Sequence, residues 1–179
     1  MTPLPSRVVI VHTREHVAAT RAAAEKTGVA VMLLSAPHIA SAGGPLYAKA
    51  LMGDATSLII PVLDCGDDPG LAWRAADVGW RYILFRGSDA LLEKVRSALQ
   101  TKETSFPGKQ KVEDPTIESS FPRKRESMFF DGLDPRFRGD DNHVVVITPD
   151  EIPSDVLDLA RTTRKGEVLV KWIVGWMTE

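Results

Sequence analysis

Short, dense apolar runs alternate along the first half of the chain with longer stretches in which apolar positions recur every third or fourth place. Arg7-Val-Val-Ile-Val-His12 is almost wholly β-branched, the pattern of a strand covered on both faces. Thr13 is placed to cap a helix over Arg14–Thr27, which Gly28 ends. Val29–Ser35 is the second buried run. Ala36–Asp54 is alanine-rich, but Pro37 and Gly43-Gly44-Pro45 divide it, which predicts a loop and then a helix from about Leu46. Leu58–Leu63 is the third strand. Asp68 with Pro69 makes a strong helix start, and Leu71, Ala75 and Val78 mark that helix's buried stripe. Arg81–Phe85 is the fourth strand. Ser88 then caps a helix that turns Leu91, Val95 and Leu99 inward and Glu93, Lys94 and Arg96 to water.

Repeated strand–helix alternation with short connections predicts an α/β fold of four to five mostly parallel strands. A flavodoxin-like sheet and a partial β/α barrel both satisfy the pattern. Both place functional groups at the carboxyl ends of the strands. Residues 1–100 form this α/β unit, and residues 101–142 depart from it. That stretch has prolines at 107, 115, 122 and 135, few aliphatic residues and many charges, the composition of a disordered insert. Residues 143–179 would then complete the domain. Val144–Ile147 is a fifth strand, and the capping-box form of Thr148-Pro149-Asp150-Glu151 predicts a helix over Pro153–Thr163. For Glu167–Met177 the β-branched content favours a strand, although Leu169, Ile173 and Trp176 also fit a helical stripe.

The length of 179 residues and the formal charge of −2 change this picture little. One domain of this size holds a real core, and so small a charge offers nothing to a polyanion. Cys65 is the sole cysteine, so no intrachain disulfide exists, which fits a reducing cytoplasm. The run at Val8–Val11 is too short for a signal peptide, and Val168–Met177 is about half of the ~20 residues a spanning helix needs. The expectation is a cytoplasmic protein with no membrane association.

Within the departing stretch, Phe121-Pro-Arg-Lys-Arg-Glu126 admits a codon set that is a perfect inverted repeat around a short loop. Pro135-Arg-Phe-Arg-Gly139 admits a second such hairpin. The peptide Ser119–Asp141 resembles the translated palindromic repeat elements scattered through some bacterial genomes. That resemblance implies an in-frame insertion of foreign DNA. A nucleic-acid-binding patch is the competing explanation for its arginines. It fails because Arg123, Lys124, Arg125, Arg136 and Arg138 are matched in number by Glu126, Asp131, Asp134, Asp140 and Asp141.

The strand ends supply the candidate chemistry: His12 and Thr13, then Ser35, then Asp64, Cys65 and Gly66, then Arg86 and Ser88. If the first and third strands are neighbours, as in a flavodoxin-like order, His12 faces Asp64 and Cys65, and a thiol activated by an imidazole becomes a catalytic possibility. The plainer account makes Cys65 a small buried apolar residue. His12 and His16 are four apart, but a strand end and a first helical turn do not share one helix face, so no metal site is assigned. Arg86 and the helix starts near it suit an anion. No GxGxxG or GxxxxGK[ST] motif accompanies them.

The stretch LDCGDDPGLAWRAADVGWRYILFRG, Leu63–Gly87, is similar to a group of small bacterial α/β proteins with an LDCGD-PG-A loop. That resemblance implies a fold and a point of interest at Asp64–Gly70, but no activity and no cofactor. The expected function is binding of a small anionic metabolite at the strand carboxyl ends. The alternatives are an enzyme using Cys65 and His12, and an interaction module that self-associates through Trp172, Ile173 and Trp176. If the insertion reading is right, deleting residues 104–141 leaves the melting temperature almost unchanged. A large loss of unfolding cooperativity would contradict it, as would gene codons unable to pair as hairpins.

Overall fold

A computed structural model describes residues 4–103 and 144–179, with the side chains of residues 101–103 left aside. The expectations placed on the stretch beyond Glu103, the repeat element included, therefore lie outside the described residues. The fold is α/β: six parallel strands in one sheet, with helices between most of them. In chain order these are β1 (Arg7–Val11), α1 (Arg14–Thr27), β2 (Val31–Ser35), α2 (Ile39–Met52), β3 (Ile59–Asp64) and α3 (Pro69–Asp77). They are followed by β4 (Tyr82–Leu84), α4 (Asp89–Glu103), β5 (Val145–Ile147), β6 (Asp155–Asp158) and α5 (Gly166–Thr178).

The local signals explain most of these boundaries. The Thr13 side chain accepts the His16 amide to start α1, and Gly28, in the left-handed region, ends it. The Asp68 carboxylate accepts the amides of Gly70 and Leu71 to start α3, with Pro69 in the first turn. The divided stretch at Gly43–Pro45 is a kink: α2 begins earlier than expected, at Ile39, and breaks at Gly44 (φ 81°) before resuming at Pro45. The Trp80 indole donates to the carbonyl of Pro45 and holds that break against the core.

The strand order is β5-β4-β3-β2-β1-β6. This is the stepwise progression of a β/α barrel and not the reversing order of a flavodoxin-like sheet. Each helix connection moves one strand in the same direction, so right-handed crossovers put all the helices on one face. Core residues of α1 to α5 accordingly join one cluster with Val9, Val11, Leu33, Leu63 and Phe85. The alternate positions, Val8, Met32, Leu34, Val62, Leu84 and Ile147, form a second cluster on the opposite, inner face.

Among the described residues no helix covers that inner face. Cover comes instead from Leu4, from Ile152 and from curvature of the sheet itself. The link from Ile147 to Asp155 joins strands at opposite ends of the order and includes a 3-10 turn at Pro149–Glu151. Across a flat sheet it would span five spacings, about 24 Å, while also returning to the amino end of β6. With one turn rising only about 2 Å per residue, so short a link cannot reach that far. The sheet therefore curls, and Ile152 packs into the inner cluster as the link passes. Val156, in register with Val8, lies at the outer edge and stays 39% exposed.

Two C-terminal expectations are corrected. Residues Asp155–Asp158 form β6 and not part of a helix, pairing in parallel with β1. The capping box closes only the 3-10 turn, because Ile152 precedes Pro153 and is extended (φ −75°, ψ 125°), as a residue before proline prefers. The tail forms helix α5 and not a strand. Its Leu169, Ile173 and Met177 are buried at four-residue spacing and pack along alanine-rich α1. Among the described residues no helix is long and apolar enough to cross a membrane.

Basic side chains close three helix ends. Arg21 donates to the carbonyls of Met52 and Asp54 at 2.7 and 2.6 Å, and Lys49 to those of Val78 and Gly79 at 2.9 and 3.1 Å. Arg7 donates to the Trp176 carbonyl and pairs with Asp155, so it ties β1, β6 and α5 together. Each supplies donors to carbonyls that the helix itself leaves unpaired.

The α5 packing has a direct test. Ile173→Ala should cost about 2–5 kcal/mol in urea unfolding, the range for truncating a buried aliphatic side chain. Val168→Ala, on the exposed side, should change stability by no more than about 0.5 kcal/mol. Equal losses at both positions would contradict a helix held by one stripe.

Candidate functional site

The inner face is apolar along the strands and turns polar where they end. β1 reads Val8, Ile10, then His12; β3 reads Ile60, Val62, then Asp64; β4 reads Tyr82, Leu84, then Arg86. β6 contributes Val156 and Asp158 to the same face, because the flanking Leu157 and Leu159 pack with the helices. On β2 the equivalent position is Ala36, whose side chain is a single methyl. The period of two thus assembles His12, Asp158, Asp64 and Arg86 around one mouth at the carboxyl ends of the strands.

Two pairs form there. Arg86 approaches Asp64 as a fork, Nη2 to Oδ2 at 2.8 Å and Nε to Oδ1 at 3.4 Å. Asp64 Oδ1 also accepts the Gly66 amide at 2.9 Å, and the Asp64 amide donates to Ser35 Oγ at 2.9 Å. The Asp64 side chain is only 3% exposed, against 45% for Arg86. The carboxylate is thereby consumed inside the protein, while the guanidinium faces outward. The Asp64 hydrogen bond raises the Arg86 pKa above its ordinary value, against the opposing effect of burial.

On the other side His12 Nε2 lies 2.8 Å from Asp158 Oδ1, which also accepts the Ala160 amide. Burial alone would raise Asp158. The Ala160 amide, the His12 ring and the Arg161 charge outweigh it and hold the carboxyl below its ordinary value. The His12 amide in turn donates to His16 Nδ1 at 3.3 Å, which requires that nitrogen to be unprotonated. Burial, with His12 adding to it, lowers the pKa of His16.

Of the expected site residues, the structure brings Ser35, Asp64, Gly66 and Arg86 together. It does not bring His12 to Cys65. β2 lies between β1 and β3, and Cys65 sits 2% exposed in the helix-side core, on the opposite face of its strand from Asp64. Burial, then the nearby Asp64 and Asp68 carboxylates, push its thiol up to about 12. The His12–Asp64–Cys65 constellation considered for catalysis is therefore not formed. Thr13 and Ser88 serve helix starts, Thr13 through its hydroxyl and Ser88 through a carbonyl that accepts the amides of Leu91 and Leu92.

The C-terminal aromatic segment is half-buried at its two tryptophans. Ile173 is fully buried, and Trp172 and Trp176 pack on the core beneath the guanidinium groups of Arg164 and Arg7. Asp158 is the candidate residue that sequence reasoning missed. The signal was present in the apolar spacing of Leu157 and Leu159, which marks a strand, but the capping box drew those residues into a helix. No protein-family model matches the chain, and no curated protein sequence matches it.

Two measurements follow from this geometry. A thiol reagent at mildly alkaline pH should leave Cys65 unmodified in the folded protein and label it after denaturation. Rapid labelling of the folded protein would contradict the packing. The second concerns His16, whose folded pKa lies below its ordinary 6.5. The unfolded chain therefore takes up that proton first as pH falls. Its contribution is complete above about pH 6.5 and is lost as pH drops through the folded value. His16→Asn keeps a hydrogen-bond acceptor without titrating, so it should flatten the fall of melting temperature between about pH 7 and pH 5. Parallel curves for the two proteins would refute the assignment.

Proposed function

We propose that the protein binds a small anionic metabolite at the carboxyl-end mouth of its sheet, with Arg86 as the principal anchor. The observation that carries this reading is the unequal exposure of the Arg86–Asp64 pair. Asp64 spends both oxygens on Arg86 and Gly66 inside the protein, so the charge offered to a ligand is the guanidinium. A planar donor held by a buried carboxylate is already oriented, which lowers the entropy a ligand must give up on binding. Ser35 supports the assembly by accepting the Asp64 amide. The acidic residues Asp67 and Asp68 lie on the following loop. Asp68 is committed to starting α3.

A protein-interaction role without catalysis is the second reading, and one feature favours it. Leu46 and Tyr47, just after the break in α2, are 68% and 56% exposed.

The first reading is tested by thermal shift with inorganic phosphate, sugar phosphates and nucleotides on wild type and Arg86→Gln. A ligand at a hundred times its dissociation constant adds about 2.7 kcal/mol to the folded state. The expected result is a rise in the wild-type melting temperature that Arg86→Gln loses, each protein being compared with its own ligand-free value. Equal shifts in both would remove Arg86 as the anchor. No shift, combined with a concentration-dependent mass in solution, would move the conclusion to the interaction role.

A further inference from the structure

We infer that the ligand of the mouth is a hydroxyl-bearing organic anion of the sugar-phosphate class, with its anionic group on Arg86 and its hydroxyls on His12 and Asp158. The inference rests on the anion-site reading above and adds the chemistry of the opposite side.

The two sides of the mouth offer complementary inventories. Arg86 presents only donors. Nε and Nη2 are on Asp64, and Nη1 makes no hydrogen bond among the described residues. The His12–Asp158 side presents a carboxylate oxygen and a ring nitrogen. The Asp158 carboxylate accepts from Nε2, which leaves His12 Nδ1 to meet a hydroxyl, a group that both donates and accepts. Nδ1 has no partner among the described residues, and no buried side-chain nitrogen or oxygen there lacks one, so this nitrogen is open to solvent. Asp158 uses Oδ1 for both His12 and Ala160. Its side chain is 53% exposed, and Oδ2 has no hydrogen bond among the described residues. An open carboxylate oxygen and an open ring nitrogen both suit hydroxyls, which donate and accept alike. Arg161 stands near Asp158 and offsets its charge, which suits neutral hydroxyls better than an ammonium group.

The strand order sets the two sides apart. Arg86 leans onto Asp64 of β3, and β2 lies between that strand and the β1 end that carries His12. Between them Ala36 puts only a methyl into the gap. Inorganic phosphate carries groups for the Arg86 side, and a phosphorylated sugar carries groups for both.

The test is calorimetric titration of the full chain with inorganic phosphate, an alkyl phosphate and a sugar phosphate of equal chain length, and an aminoalkyl phosphate. A hydrogen bond or two to hydroxyls should make the sugar phosphate roughly two- to tenfold tighter than the alkyl phosphate. That ratio, taken within each protein, should fall to one in His12→Ala and in Asp158→Ala. If sugar and alkyl phosphates bind equally and Arg86→Gln abolishes both, the anion site stands and this inference fails. The inference also fails if the aminoalkyl phosphate binds tightest, or if the ratio survives in both variants. Binding of none of the four overturns the anion site as well.

Discussion

A parallel sheet wound in one direction places every helix on one face, and its other face must find cover without them. In this protein that constraint governs everything else. The inner positions of β1 to β5 are as apolar as the helix-side positions, which is why the strands read as unbroken apolar runs and not as alternating ones. Left flat, the sheet would expose a continuous apolar surface. Curling brings that surface onto itself, and among the described residues Leu4 and Ile152 pack against it. The short link from β5 to β6 makes the curl obligatory, so a connection of a few residues sets the shape of the whole domain.

The same alternation produces the candidate site. Once the interior is filled, the next inner position on a strand has nothing left to pack against and faces the mouth. That position is His12 on β1, Asp64 on β3 and Arg86 on β4, with Asp158 beside them on β6. A charged side chain is tolerated there because it is either at the surface or paired. Asp64, the deepest of the four, is the one most fully hydrogen-bonded. The amino ends of the strands are handled differently. There Arg21, Lys49 and Arg7 spend their charge on helix carbonyls and hold neighbouring elements together. One end of the sheet is thus closed by structural cations, and the other presents a cation to solvent.

Much of this was legible in the residues. The β-branched runs at Arg7–His12, Val29–Ser35, Leu58–Leu63 and Arg81–Phe85, with Thr13, Asp68 and Gly28 between them, determine four strand–helix units from local chemistry alone. Capping bonds, proline geometry and side-chain periodicity act over a few residues, so they survive translation into a linear pattern. The same reasoning located Asp64, Gly66, Arg86 and His12 at strand ends. It failed where local signals disagreed. The Thr148–Glu151 box outweighed the proline after Ile152, and β-branched content outweighed the Leu169–Ile173 stripe.

Only the tertiary structure decided which strand ends share a site. Strand order is set by which apolar faces bury each other, and such pairings join residues far apart in sequence: His12 with Asp158, and α1 with α5. A flavodoxin-like order would have set His12 beside Asp64 and Cys65. The stepwise order puts β2 between them, turns Cys65 into helix-side packing, and gives His12 an aspartate that local reading had placed in a helix. The sequence by itself determined the elements and the residue types at their ends. The partner of each of those residues was determined by sheet order, because a contact across the sheet leaves no trace in the spacing of the residues along the chain.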